Sequence, residues 1–105
     1  MDHLSTARGV LERIAGHLKR IPKPGVETCV IEDAQTGWLL LVRVGWHAGK
    51  RVHNVVVSAR VRDGRVRIEE DNTDLSFADE LARAGVPLAD IDLAFHQPER
   101  TVAVA

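Results

Sequence analysis

The chain has 105 residues and a formal net charge of −1, with 45% hydrophobic and 28% charged residues. That is the composition of a soluble globular protein; it excludes a disordered or fibrous chain, and the size predicts one domain over residues 1–105. The charge is unevenly spread. Between residues 43 and 67 stand Arg43, Lys50, Arg51, Arg60, Arg62, Arg65 and Arg67 against Asp63 alone. Between 69 and 92 stand Glu69, Glu70, Asp71, Asp74, Asp79, Glu80, Asp90 and Asp92 against Arg83 alone. Blocks of opposite sign either steer a partner or neutralise each other within one molecule. The longest apolar run, residues 38–42, falls far short of the ~20 residues that a membrane span needs, so no membrane partner is expected. Residues 1–5 carry neither a basic nor an apolar leader pattern, and one cysteine, Cys29, excludes an internal disulfide. A cytoplasmic protein is the expectation.

Leu4, Ala7, Leu11, Ile14, Leu18 and Ile21 recur at spacings of three and four, which predicts one amphipathic helix of about five turns. Asp2 suits its N-cap, and Pro22-Lys23-Pro24-Gly25 stops it. Four strands follow, over residues 26–32, 36–46, 51–62 and 65–70. The second is apolar on both faces around Leu39–Leu41, the pattern of a central strand. His47-Ala48-Gly49-Lys50 is a turn, and Asp63-Gly64 is a two-residue hairpin signal. Together they make an antiparallel meander.

A short second helix begins at Leu75 or Ser76 and runs to Ala84, with a capping box over Ser76-Phe77-Ala78-Asp79 and a stop at Gly85-Val86-Pro87. One more helical turn covers residues 87–91, and a last strand covers residues 92–95. The fold class is α+β: one antiparallel sheet with both helices on one face.

Catalytic chemistry finds no foothold in the pattern. Five histidines stand singly, at 3, 17, 47, 53 and 96, with no metal-ligand spacing and no cysteine pair. None of Ser5, Ser58 and Ser76 lies in a nucleophile elbow, and Gly45, Gly49 and Gly64 are strand or turn glycines rather than a phosphate loop. Cys29 on an apolar strand reads as a small buried side chain. The expectation is no enzyme, no metal and no cofactor.

One constellation is physically odd. Across the Asp63-Gly64 hairpin, Arg62 faces Arg65 and Arg60 faces Arg67, so alternation gathers four guanidinium groups on one face, opposite Val61 and Val66. Like charges directly opposed destabilise a sheet by up to ~1 kcal/mol per pair, and clustered arginines suit carboxylates or phosphates. Three readings stay open: a solvated face whose arginines reach Glu69, Glu32 or the acidic second half; a docking face for an acidic protein; or a nucleic-acid contact. Trp38 and Trp46 bracket one face of the second strand; at least one is expected in the core, and Trp46 joins the arginines as a candidate binding residue.

The series Val44-Gly45-Trp46, Arg51-Val52-His53 and Val61-Arg62-Asp63-Gly64-Arg65-Val66 carries a resemblance to a known family. It continues through Ala78-Asp79-Glu80-Leu81, Gly85-Val86-Pro87, Asp90-Ile91 and Leu93-Ala94-Phe95-His96-Gln97-Pro98. In order and spacing this resembles the XisI family, the fdxN element excision controlling factors of cyanobacteria. Gly45, Trp46, Asp63, Gly64, Glu80, Leu81, Gly85, Val86, Pro87, Phe95, His96 and Pro98 are the motif residues that carry it. The chain departs from the pattern at Arg67, where the family usually has an aromatic residue, and at Asp71-Asn72-Thr73-Asp74, which replaces a glycine-containing turn.

The resemblance implies a non-catalytic accessory factor in programmed excision of a DNA element, acting with a site-specific recombinase and with XisH, a companion of nuclease-type fold. Two functional classes follow. One is an interaction module that binds an XisH-like partner. The other is an accessory protein that contacts duplex DNA through the Arg60, Arg62, Arg65 and Arg67 face. A homo-oligomer is left open.

Overall fold

In the computed structural model, which describes residues 2–94, the Asp2 carboxylate accepts hydrogen bonds from the Leu4 and Ser5 N–H groups and starts helix α1, His3–Leu18. The expected stripe is buried at Ala7, Leu11 and Ile14, widened by Val10 and Ala15. Ile21 departs from it. The helix closes with Lys19 as its C-cap, and Ile21 stands outside at 70% exposure. The reason is local: Ile21 precedes Pro22, whose ring disfavours the helical region for the residue before it.

The strands are β1 (Val26–Asp33), β2 (Trp38–His47), β3 (Lys50–Arg62), β4 (Arg65–Asp71) and β5 (Ile91–Leu93), in the spatial order β1-β2-β3-β4-β5. The first four form the expected antiparallel meander. Ala48 and Gly49 close one hairpin, and Asp63 and Gly64 the next, each pair with two positive φ values (51° and 78°, then 55° and 74°). That is the type I′ signature, whose twist matches the flanking strands.

Helix α2, Phe77–Arg83, is shorter than expected by its capping residues. The Ser76 hydroxyl accepts from Asp79 N–H, but no reciprocal Asp79 bond is present among the described residues; instead the Asp71 carboxylate accepts from Phe77 N–H at 2.8 Å. At the far end Val86 N–H donates to Leu81 C=O and Gly85 N–H to Ala82 C=O, a Schellman closure. After the 3-10 turn Leu88–Asp90, β5 pairs with β4 in parallel, Val66 with Ile91 and Ile68 with Leu93. This corrects the all-antiparallel expectation. Two strands joined through a helix can return in the same direction, which a tight turn does not allow. The strand also begins at Ile91 rather than Asp92, and Phe95 lies outside the described residues.

Both helices cover the same sheet face. Leu39, Leu41, Val57, Ala59, Val66 and Ile68 meet α1 and Phe77, Leu81 and Val86 in one core. Each fully buried side chain of this size stabilises by about 1.5–3 kcal/mol. In the sheet order β2 is interior, as its two apolar faces suggested, yet among the described residues only one of those faces is covered.

Candidate interaction surface

The register places the four arginines as alternation predicts: Arg62 pairs with Arg65 and Arg60 with Arg67, while Ala59, Val66 and Ile68 point into the core. With Trp38, Glu69 and Asp92 they line a shallow groove of about 360 Å³ on the face away from the helices. Three of the four have partners within the molecule. Arg65 Nε donates to Asp92 Oδ2 at 2.9 Å, and Nη2 donates to the other carboxylate oxygen. Arg67 Nε donates to Glu69 Oε2 at 2.9 Å. Arg60 Nε donates to Thr36 C=O at 2.9 Å, and its guanidinium lies 5.3 Å from the Trp38 ring centroid. Arg62 makes no ion pair among the described residues. Of the anticipated partners, Glu69 and the acidic second half are used; Glu32 instead meets Arg8 on α1, at 3.5 Å.

The Arg65 pair also sets the local electrostatics. The guanidinium, hydrogen-bonded to Asp92, holds that carboxyl below the usual carboxylate range, and the carboxylate in turn raises Arg65. Both are about half exposed, so water and salt weaken the attraction.

Neither tryptophan is in the helix-covered core, against expectation. Trp38 is half-buried beneath Arg60 and Trp46 is 60% exposed beneath Arg51, whose guanidinium lies 5.7 Å from its ring centroid. Cation–π stacking of this kind is worth about 0.5–1 kcal/mol at exposed sites. The Trp46–Arg51 pair was legible in the sequence, because the two residues lie one step out from the His47–Lys50 closing pair. Two glycines fix Trp46 in place. Trp46 N–H donates to Gly25 C=O at 3.0 Å, and a Cβ on Gly45 would stand 1.8 Å from that oxygen. Cys29, opposite Val42, is half-buried on this same open face rather than buried; Glu27, hydrogen-bonded to its thiol, raises its pKa.

The other motif residues have structural places. Asp63 and Gly64 form the hairpin, Leu81 and Val86 are in the core, Gly85 closes α2 at φ 102°, and Pro87 precedes the 3-10 turn. Glu80 pairs with Arg83 on α2. His96 and Pro98, like Phe95, lie outside the described residues. Among the described residues no three His, Cys, Asp or Glu side chains gather as metal ligands, and no helix is long and apolar enough to cross a membrane.

Comparison with known proteins places this architecture. The chain is similar to the crystal structure of a XisI-like protein from Anabaena variabilis ATCC 29413, with 26% identity, 92% of this chain and 87% of that one covered, and a TM-score of 0.81. It is also similar to the structure of fdxN element excision controlling factor XisI from the same organism, with 32% identity, 94% and 98% coverage, and a TM-score of 0.66. Among curated proteins no match is found. The model of the XisI protein family matches residues 1–104, and with the sheet order and hairpin geometry above, the chain belongs to the XisI family.

Proposed function

We propose that this protein is a non-catalytic accessory factor that controls excision of a DNA element by binding an XisH-like partner of nuclease-type fold. Support comes first from the family and from the relative named as an excision controlling factor. The observation that carries the choice of a protein over DNA is the internal pairing of the arginine face. Asp92, Glu69 and the Thr36 carbonyl occupy three of the four guanidinium groups, so a phosphate backbone would have to displace contacts already made. The net charge of −1 adds no attraction for a polyanion. A surface carrying both signs beside apolar side chains suits a protein of mixed charge, where electrostatics sets orientation and apolar contact supplies affinity.

The second reading, a duplex contact through Arg60, Arg62, Arg65 and Arg67, keeps its motive in the groove that all four line. Two measurements separate the readings. Co-expression with an XisH-like protein followed by size exclusion should give a stable complex. A salt titration on labelled duplex should give a Kd no tighter than ~10⁻⁵ M at physiological salt. Tight duplex binding that falls with a log–log salt slope of about −0.9 per phosphate, with no protein complex, would reverse the choice.

A further inference from the structure

The sheet face away from the helices has no cover within the described residues. Its middle is apolar: Ile31, Val42, Val44 and Val55 surround a shallow depression of about 260 Å³, and Ile31 is 48% exposed. Its flanks differ in sign. On the β1 side this face carries Glu27 and Asp33; on the β3 side it carries Arg51, His53 and Arg60. Glu27, Arg51 and Arg60 have no ion-pair partner among the described residues.

We infer that this face is an isologous dimer interface, closed by a second copy of the chain about a two-fold axis parallel to β2. Two opposed sheet faces can be related by a two-fold only if the axis lies in the plane between them. An axis running across the strands would set β1 on β1, acid against acid. An axis along β2 sets β1 of one copy over β3 of the other and keeps every residue at its own level along the strands. Asp33 then meets Arg60, because both pair with Trp38 in the sheet. Glu27 meets His53, because both pair with Val44, with Arg51 one step further out. The apolar rows of β2 stack between these charged flanks, in the aligned manner of two packed sheets. The same surface is therefore complementary to itself, in sign as well as in hydrophobicity.

Three strands from each copy overlap in this arrangement, which buries on the order of 1,000 Å² in total, at the low end for specific interfaces. The dimer is accordingly a weak and exchanging one, with a Kd near ~10⁻⁵ M. Strands β4 and β5 project beyond the overlap, so Arg62 and Arg65 stay uncovered. The inference is independent of the proposed partner, and its test uses this chain alone.

Sedimentation velocity of the full chain over about 1–500 µM should show a monomer–dimer equilibrium. The decisive variants are Glu27→Arg and Arg51→Glu, both at exposed positions where the fold tolerates charge. Each alone places like charges at both symmetry-related contacts and should weaken dimerisation about tenfold or more. An equimolar mixture of the two variants restores opposite charges at both contacts of the mixed dimer, which should form within about twofold of the wild-type affinity. Alkylation of Cys29, the sole cysteine and on the same face, should slow as the wild-type concentration rises through the midpoint. A wild-type chain that stays monomeric throughout, single variants that dimerise normally, or a mixture that does not re-form the dimer would each overturn the inference.

Discussion

Arg65 and Asp92 lie 27 residues apart in sequence and form a two-pronged ion pair, Nε to Oδ2 at 2.9 Å, across the parallel β4–β5 seam of the sheet. The pair clamps a three-residue strand that α2 delivers to the edge, where Ala94 N–H still donates to Ile68 C=O at 2.9 Å. Asp92→Asn should leave the rest of the sheet intact and speed hydrogen exchange at Ala94, because local opening of an edge is governed by its few contacts. High salt should narrow the gap between variant and wild type, since the pair is half exposed. Equal exchange rates at low salt would show that the pair does not hold β5.

The opposed arginines Arg60 and Arg67 are not equivalent. Arg60 donates to Thr36 C=O and stacks on Trp38, so Arg60→Thr should cost ~0.5–1.5 kcal/mol. Among the described residues Arg67 pairs with the exposed Glu69 alone, and its removal relieves a like-charge pair while threonine favours the strand. Arg67→Thr should therefore leave stability within about 0.5 kcal/mol of wild type or raise it. Urea unfolding of the two variants measures the difference, and equal costs would contradict it.

Acid stability follows from three carboxyls held below their ordinary value of 3.8: Asp2 by the Ser5 backbone N–H, Asp33 by the Thr36 hydroxyl, and Asp92 by Arg65. A depressed folded-state pKa stabilises above the unfolded value, and that stability is lost as pH falls through the folded one. Thermal melts should be flat in this respect from pH 8 to about pH 5 and fall below about pH 4. Asp33→Asn and Asp92→Asn should each flatten the acid limb. A steeper acid limb in either variant would show the opposite sign.

Two of the three motif glycines, Gly45 and Gly64, should separate sharply. At Gly45 (φ 151°) a Cβ would strike the Gly25 carbonyl, which is backbone and cannot step aside, so Gly45→Ala should cost several kcal/mol. At Gly64 (φ 74°) the added atom meets nothing within 4 Å, and Gly64→Ala should cost only ~1 kcal/mol of backbone strain. Chemical denaturation, with tryptophan fluorescence reporting on Trp46 near Gly45, reads both.

Phe77 and Trp46 test where the energy lies. Phe77 is fully buried in the core, so Phe77→Ala should cost ~3–5 kcal/mol, a large part of the total stability of a domain this size. Trp46→Ala should cost ~1 kcal/mol or less in the monomer, because it loses one exposed stack. A comparable loss at both positions would place Trp46 in the core after all.

The sequence by itself determined what depends on neighbours a few residues apart. Spacings of three and four wrote α1, Ala48-Gly49 and Asp63-Gly64 wrote the hairpins, and period-two alternation then put Arg60, Arg62, Arg65 and Arg67 on one face. These are consequences of backbone dihedrals and side-chain direction, which act locally. Only the tertiary structure decided which side of β2 would be covered. Leu39 and Leu41 on one face and Leu40 and Val42 on the other are equally apolar, so alternation alone cannot choose; the choice falls to where α1 packs after the chain turns at Pro22–Gly25. For the same reason the expectation of at least one tryptophan in the core fails: Trp38 and Trp46 lie on the other side of the sheet from it. The direction of β5, and with it the meeting of Arg65 and Asp92, depends on α2 crossing back over the core, a long-range contact that no short window of sequence encodes.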